Sequence, residues 1–416
     1  MTSQYTMLPF EELLAIPLKN GLTKPKSVRG TGYPLVNMGE LFANERIDEQ
    51  VSMDLAPLSE AEFSSFLLQE ADLLFARQSL VLSGAGKCSY VKKLVQDTTF
   101  ESHIIRARIN QSKASPLYYF YFFMSPQGKQ AMLSIVEQVA AAGIRGSDLK
   151  RMLVPVPPLP EQRAIAAILS ALDDKIELNR QMNKTLEEMA QAIFKEWFVD
   201  FGPFRDGGMQ DSELGPIPLG WEVGTIGSVA DINSRVRRKD YQHQLIHYID
   251  ISSVAQGQLE KTTPYKLSEA PSRAQRLVSN QDILWSCVRP NRRSYYYVLN
   301  PADNIVVSTG FAVLSPVAIP GSYLYQWVTT DQFVDYLTAN ADGSAYPAVR
   351  ADHFANALCI IPPANILLDF DTCVSPMRNA IARNSIMNNT LSSVRDALLP
   401  KLMSGEIRVP ADAEPA

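Results

Sequence analysis

The segment Ser83-Gly84-Ala85-Gly86-Lys87-Cys88 has the outline of a phosphate loop. Such a loop places one glycine five residues before the Gly-Lys pair, so that backbone N–H groups surround a phosphate, and follows the lysine with a Ser or Thr for magnesium. Here Val81 fills the glycine position and Cys88 follows Lys87, so ATP binding is not expected. His243 and His247 have the HxxxH spacing of a zinc protease, but Gln244 stands where the general-base Glu belongs. With no carboxylate-rich partner they read as exposed loop histidines. There is no GxSxG nucleophile elbow, no Gly-rich cofactor fingerprint after a strand, and no Asn-Pro-Pro-aromatic run of the amino-methyltransferase kind. Types and spacing therefore point to binding rather than catalysis.

Basic and aromatic residues gather at two matching places. The first holds Arg77, Lys87, Tyr90, Lys92 and Lys93; the second holds Arg289, Asn291, Arg292, Arg293 and Tyr295, with Tyr296 and Tyr297. Each follows an acidic-apolar run, DLLFAR or DILWSC. Arg235, Arg237, Arg238 and Lys239 form a further run. Arg and Lys neutralise phosphates, and Arg and Asn read base edges bidentately, so these are the candidate DNA-binding residues. Solvated loops are the competing explanation.

The elements that must position these clusters occur twice. PPLPEQR (157–163) and PPANILL (362–368) lie 205 residues apart, and MNKTL (182–186) faces MNNTL (387–391) at the same offset. AAAGIRGSDLKRMLVPVPP answers NADGSAYPAVRADHFANALCIIPP, ADLLFARQ resembles QDILWSCVRP, and YPLVNMGEL resembles HYIDISSV. The chain reads as two copies of one unit: globular sequence, a proline collar, then a helix.

Both helices carry heptads. The first places Ile165, Leu172, Asn179, Leu186 and Ile193 on one seam position and Ile168/Leu169, Ile176, Met182, Met189 and Trp197 on the other. The second places Phe370, Met377, Asn384, Leu391 and Leu398, then Val374, Ile381, Met387, Val394 and Leu402. This predicts a coiled coil, with Asn179 and Asn384 fixing helix register. Pro400 is expected to bend or end the second helix.

The expected fold is α+β: two β-rich domains separated by two long antiparallel coiled-coil helices, with an internal pseudo-twofold repeat. The expected divisions are 1–156 for the first domain, 157–201 for the central helix, 202–220 for a linker, 221–361 for the second domain, 362–405 for the C-terminal helix and 406–416 for a flexible tail.

Composition agrees with a soluble binding protein. No apolar run approaches a membrane span, no secretory signal opens the chain, and the four cysteines show no CxxC pairing, which favours reduced thiols in the cytoplasm. Residues 1–155 carry net charge +1 and residues 216–360 net 0, so the acidity, net −6, sits in the remaining segments 156–215 and 361–416. A pseudo-twofold axis across the helices would pair them antiparallel. A helix of about 39 residues gives a rod of roughly 58 Å. Against a DNA turn of roughly 34 Å, that is enough to seat each block on its own half-site.

PLPEQRAIAAILSALDDKIELNRQMNKTLEEMAQAIFKEWF closely resembles the central region of the specificity subunit of type I restriction-modification systems. DSELGPIPLGWEVGTIGSVA looks like that family's entry into its second target recognition domain, and ALLPKLMSGEI like its C-terminal end. The resemblance covers essentially the whole chain. It implies that each domain reads one half of a bipartite double-stranded DNA target while the helices set the spacer. It also implies two methyltransferase subunits on the helices and two restriction subunits in the full complex. S-adenosylmethionine, ATP and Mg would then belong to those partners, with no cofactor and no metal in this chain. Phe194, Trp197 and Phe198 are candidate docking residues, with packing inside the coiled coil as the alternative. The second collar keeps the proline pair and lacks Glu-Gln, which puts exact symmetry of docking in doubt. The competing functions are a coiled-coil scaffold with two protein-binding heads, predicting no salt-dependent DNA affinity, and a standalone methylase, for which the sequence offers no motif.

Overall fold

The computed structural model describes residues 5–138, 142–343 and 346–410. The chain divides into two compact units, one formed by Met1–Glu177 with Asn388–Ala416, the other by Leu178–Met387. In the first unit, β1 (Leu14–Asn20), β2 (Arg46–Ile47), β3 (Leu73–Ala76), β4 (Cys88–Val91) and β5 (Ile104–Ile109) form one sheet in the order β1-β5-β3-β4-β2. Alternation along β5 sends Ile105, Ala107 and Ile109 into the main core and Ile104 into a smaller cluster on the opposite face. Helix α1 (Pro116–Met124) covers the main core. It is apolar on every side and is buried on every side, with Tyr118 through Phe123 all under 10% exposed. Ser115 caps it, accepting a hydrogen bond from the Tyr118 N–H, and Pro116 occupies the first helical position.

The chain leaves this body through the collar into α2 (Leu159–Phe198), a helix of 40 residues. In the second unit, β6 (Ala230–Ile232), β7 (Ile283–Ser286), β8 (Tyr295–Tyr297) and β9 (Phe311–Pro316) are ordered β6-β9-β7-β8, with α3 (Gly321–Val328) buried along its length. A last helix, α4 (Ala364–Ser404), spans 41 residues.

The duplication read from the sequence is present in the topology. β1-β5-β3-β4 and β6-β9-β7-β8 share order and antiparallel sense. DLLFAR and DILWSC supply the equivalent strands β3 and β7. Ahead of each, a non-glycine residue takes the left-handed conformation, Ala71 at φ 71° and Gln281 at φ 70°. The next residue, Asp72 or Asp282, accepts a backbone N–H from Gln69 at 2.8 Å or Ser279 at 2.7 Å. The strand before each collar also pairs the same way, Leu153–Val156 with Thr6–Pro9 and Leu358–Ile361 with Glu222–Thr225.

Within each unit the helix segments run antiparallel. In the first, Asn388 Nδ2 donates to the Ile176 carbonyl at 3.3 Å and Arg395 meets Asp173 at 2.8 Å. In the second, Asn183 Nδ2 lies 3.5 Å from the Ile381 carbonyl, Asn384 Nδ2 donates to Asn183 Oδ1 at 2.8 Å, and Arg378 pairs with Glu187 at 3.0 Å. Asn183 and Asn388, like Ile176 and Ile381, are separated by the repeat offset of 205. Asn384 thus bonds to Asn183, and Asn179 is fully buried. Four expected seam residues, Met182, Met189, Met387 and Val394, are more than 40% exposed. The mid-helix contacts are polar, so the apolar seam narrows there and these side chains face outward.

Three segments named from the sequence take these forms. Residues 202–220 are no extended linker. They form a short 3-10 turn (Gly202–Gly207) and a strand pair, and Phe201, Phe204 and Ile217 join the second unit's core with Trp221. Helix α4 runs through Pro400 to Ser404, inside the expected span 362–405, so Pro400 does not end it; Leu399, Leu402 and Met403 are anchored in the first unit's core. The expected flexible tail is docked through residue 409, where Arg408 bonds Glu161 and Val409 is buried; 411–416 lie outside the described residues.

The collar explains the asymmetry between the repeats. Glu161 is 3% exposed and takes Arg408 Nε at 2.6 Å, Arg408 Nη2 at 2.7 Å and the Tyr5 hydroxyl at 3.1 Å. Gln162 accepts from the Ser115 N–H and donates to the Pro157 carbonyl. In the second copy Ile366 and Leu367 occupy these positions and pack into an apolar core. The Glu-Gln pair is therefore internal to the first unit. Burial alone would raise the Glu161 carboxyl, but hydrogen bonds from Arg408 and Tyr5 hold it below the usual range. A depressed carboxylate contributes stability above its unfolded pKa, lost as pH falls through the folded one. Glu161→Gln is expected to cost about 1.5–3 kcal/mol at neutral pH. The difference from wild type should shrink below about pH 4, as followed by acid titration of the melting temperature.

Candidate nucleic-acid interface

Buried aspartates come first, because they decide which basic residues are free. Asp72 is fully buried and is held by Arg108 through two bonds of 2.7 Å. Asp282 is 1% exposed, and both its oxygens accept from Arg235 Nη2 at 2.7 Å. A buried carboxylate needs such a partner. Arg235, expected at the DNA, gives its Nη2 to the turn before β7 while its side chain stays 41% exposed.

In the first unit the expected residues lie around β3 and β4. Arg77 is half-buried at the end of β3, its backbone bonded to His103 and Ile144. Lys87 Nζ donates to the Phe42 carbonyl at 2.6 Å, Lys92 is half-buried and Lys93 is exposed. Tyr90 packs against Phe120 at 5.8 Å, and burial, then Glu70, pushes its hydroxyl up. It belongs to the core rather than to an exposed face.

In the second unit, Pro290–Arg292 form a single 3-10 turn between β7 and β8, bracketed by left-handed Arg289 (φ 51°) and Arg293 (φ 55°). Non-glycine residues there store about 1–3 kcal/mol each, which concentrates at functional segments. Asn291 and Arg292 are exposed at the tip. Arg293 pairs with Asp331, and the Arg289 guanidinium lies 4.6 Å from the Tyr346 ring. Tyr295, expected at the DNA, is 3% exposed between Trp285 and Tyr325: side chains alternate along β8, and Tyr295 faces the core. Arg237 donates to the Ala274 carbonyl at 3.1 Å, and Arg238 is exposed beside it. The turn thus gathers Arg289, Asn291, Arg292 and Arg293, while Arg237 and Arg238 lie on a separate edge.

Phe194 and Phe198 are buried in the second unit's core against Tyr323 and Phe370, and Trp197 packs on Phe204 and Phe370. All three thus pack against residues outside the helix pair as well as against Phe370 of α4. Sequence reasoning missed Lys19, Arg106 and Arg108, which line one cleft in the first unit. The signal was present in HIIRARI, where two arginines two apart on a strand share a face. Among the described residues no His, Cys, Asp and Glu cluster suits a metal and no helix is long and apolar enough to cross a membrane. All four cysteines are free.

Comparison with known proteins places this geometry. Residues 8–188 match the family described as Type I restriction modification DNA specificity domain. The chain is 25% identical to the type I restriction enzyme MjaIX specificity subunit of Methanocaldococcus jannaschii, over 92% of this chain and 86% of that one. It is 33% identical to the EcoKI specificity subunit of Escherichia coli over 47% and 43%, respectively, and 22% identical to the HindI specificity subunit of Haemophilus influenzae over 90% and 95%. The crystal structure of a type I restriction-modification S subunit from M. genitalium shares the fold, with a TM-score of 0.62 at 14% identity, covering 97% of this chain and 99% of that one. Residues 8–188 thus match the DNA specificity domain of type I restriction-modification systems, and over nearly its whole length the chain is similar to specificity subunits of type I restriction enzymes.

Proposed function

We propose that each α+β unit reads one half of a bipartite DNA target and that the paired helices set the unread distance between the halves. The observation that carries this reading is the duplicated sheet, turn and collar, each copy leading into one long helix. Two like readers on one chain suit a target of two short halves. The exposed cations Lys93, Arg238 and Arg292, with Asn291, remain the side chains best placed to meet DNA. Lys87, Lys92, Arg77 and Arg237 contribute from half-buried positions beside them.

The helices serve a second purpose in this proposal, as the platform for two methyltransferase subunits and, in the complete enzyme, two restriction subunits. Leu178, Met182 and Met189 on α2 are 43–50% exposed at heptad-like spacing, and they suit docking better than the buried Phe194 and Phe198. S-adenosylmethionine, ATP and Mg then reside on those partners, and the complex works in the cytoplasm where its DNA is.

Methylation mapping tests the reading. The chain is co-expressed with its methyltransferase subunit in a host lacking adenine methylation, and the genome is read by single-molecule sequencing. A new bipartite motif with a fixed gap, lost when this chain is omitted, is the expected result. An assembled complex that writes no motif would favour a scaffold with two protein-binding heads.

A further inference from the structure

Arg106 sits in the first unit with 4% of its surface exposed, and its Nε is buried without a hydrogen-bond acceptor among the described residues. Its side chain lines a cleft of 480 Å³ with Lys19, Arg108, Ser64, Ser65 and Gln69. No carboxylate lines that cleft. Asp72, which acts on Arg106, has both oxygens engaged, by Arg108 at 2.7 Å and by the Gln69 N–H at 2.8 Å. The cleft lining itself thus carries three cations and no carboxylate. The Arg106 guanidinium otherwise lies 5.9 Å from the Phe100 ring, and Lys19 Nζ is 3.8 Å from the Phe66 ring. Burial pushes both groups down; at Arg106 the charge of Asp72 opposes this and Arg108 adds to it, and at Lys19 Arg106 adds to it.

A buried guanidinium with an unpaired Nε, whose carboxylate neighbour Asp72 is bonded to Arg108 instead, is costly, and an apolar side chain would fill the same space at less expense. We propose that this cleft binds a phosphate group, seated on Arg106 and Lys19 with the serine hydroxyls at its rim. A base edge offers acceptors but no charge, whereas a phosphate both matches the guanidinium fork and offsets the excess of cations. The group has two sources: the backbone of the DNA bound by this unit, which rests on the function proposed above, or a free phosphate.

The experiment uses the full chain assembled with its methyltransferase partners, as wild type, Arg106→Met, Arg106→Lys and Lys19→Gln. Affinity for cognate and unrelated duplexes is titrated against salt, and inorganic phosphate is titrated by calorimetry. For a DNA phosphate, Arg106→Met weakens both duplexes by a similar factor and lowers the salt slope by about 1, and Arg106→Lys recovers part of the loss. For a free phosphate, wild type binds inorganic phosphate with unit stoichiometry, Arg106→Met does not, and their DNA titrations coincide. Unchanged DNA affinity, slope and phosphate binding in Arg106→Met overturns the proposal. Should Arg106→Met not fold, Lys19→Gln is read in the same titrations, and no change in either overturns it equally. A wild-type complex without salt-dependent DNA binding refutes the proposed function instead, and the phosphate titration still decides the cleft.

Discussion

Removing residues 180–186 from α2 together with 381–387 from α4 is expected to move the methylated motif. Both halves of the sequence stay as they were, and the gap between them shortens. Seven helical residues span about 10.5 Å, close to the rise of three base pairs at about 3.4 Å each. The deleted segments are chosen from the antiparallel contacts. Asn388 to Ile176 on one side and Arg378 to Glu187 on the other are left in place, while the Asn183–Asn384 bond is lost from both partners at once. Removing a whole heptad also keeps each apolar stripe on its original face. Methylation at the original target should fall to background. A complex that assembles and still writes the original gap would show that the helices do not set the distance.

The second large effect concerns Arg378, which is 4% exposed beneath Tyr325, its guanidinium 4.3 Å from that ring. Burial would push this arginine down, but Tyr325 and Glu187 keep it above its ordinary value. Glu187→Ala strands a buried charge, for which losses of about 3–5 kcal/mol are usual. Because the Glu187 side chain is 28% exposed and water reaches it, the lower end applies, about 3 kcal/mol. In a unit of this size that lowers the melting temperature by about 6–12 °C. Arg378→Met removes the charge itself and should cost only about 1 kcal/mol or less, and combining the two changes should recover most of the loss. Equal destabilisation by both single variants would show that packing, and not the stranded charge, governs the site.

The duplication and the helix spans were legible because they depend on local pattern. DLLFAR and DILWSC fall on equivalent strands, and the heptad run from Glu161 to Val199 matches Leu159–Phe198. The helix seam was only half legible. A period of 3.5 placed Met182 and Met189 inside, whereas the contacts at mid-helix are made by Asn183, Asn384 and Glu187. Repetition of MNKTL as MNNTL did mark Asn183 and Asn388, but not what they would bond. Among candidate DNA contacts, the tip residues Asn291 and Arg292 are exposed as their turn composition suggests. Arg235 could not be judged locally, since its partner Asp282 is 47 residues away. The burial of Tyr295 has a simpler reason: consecutive tyrosines on a strand cannot all face outward. Arg106 was invisible as a site because its significance lies in a missing acceptor, which only the packed structure shows.

The two units differ in how they are assembled from the chain. The second is one continuous stretch, Leu178–Met387, while the first needs Asn388–Ala416 as well. Leu399, Leu402, Met403 and Val409 sit in the first unit's core, and Arg408 closes on Glu161 beside Tyr5. During synthesis the amino-terminal body therefore emerges first yet stays incomplete while the second unit is made and folds as a unit. Its apolar surface against α1 and the start of α2 waits uncovered until Leu399, Leu402, Met403 and Val409 have been made. A nascent chain stalled short of Leu399 presents that surface to chaperones and proteases.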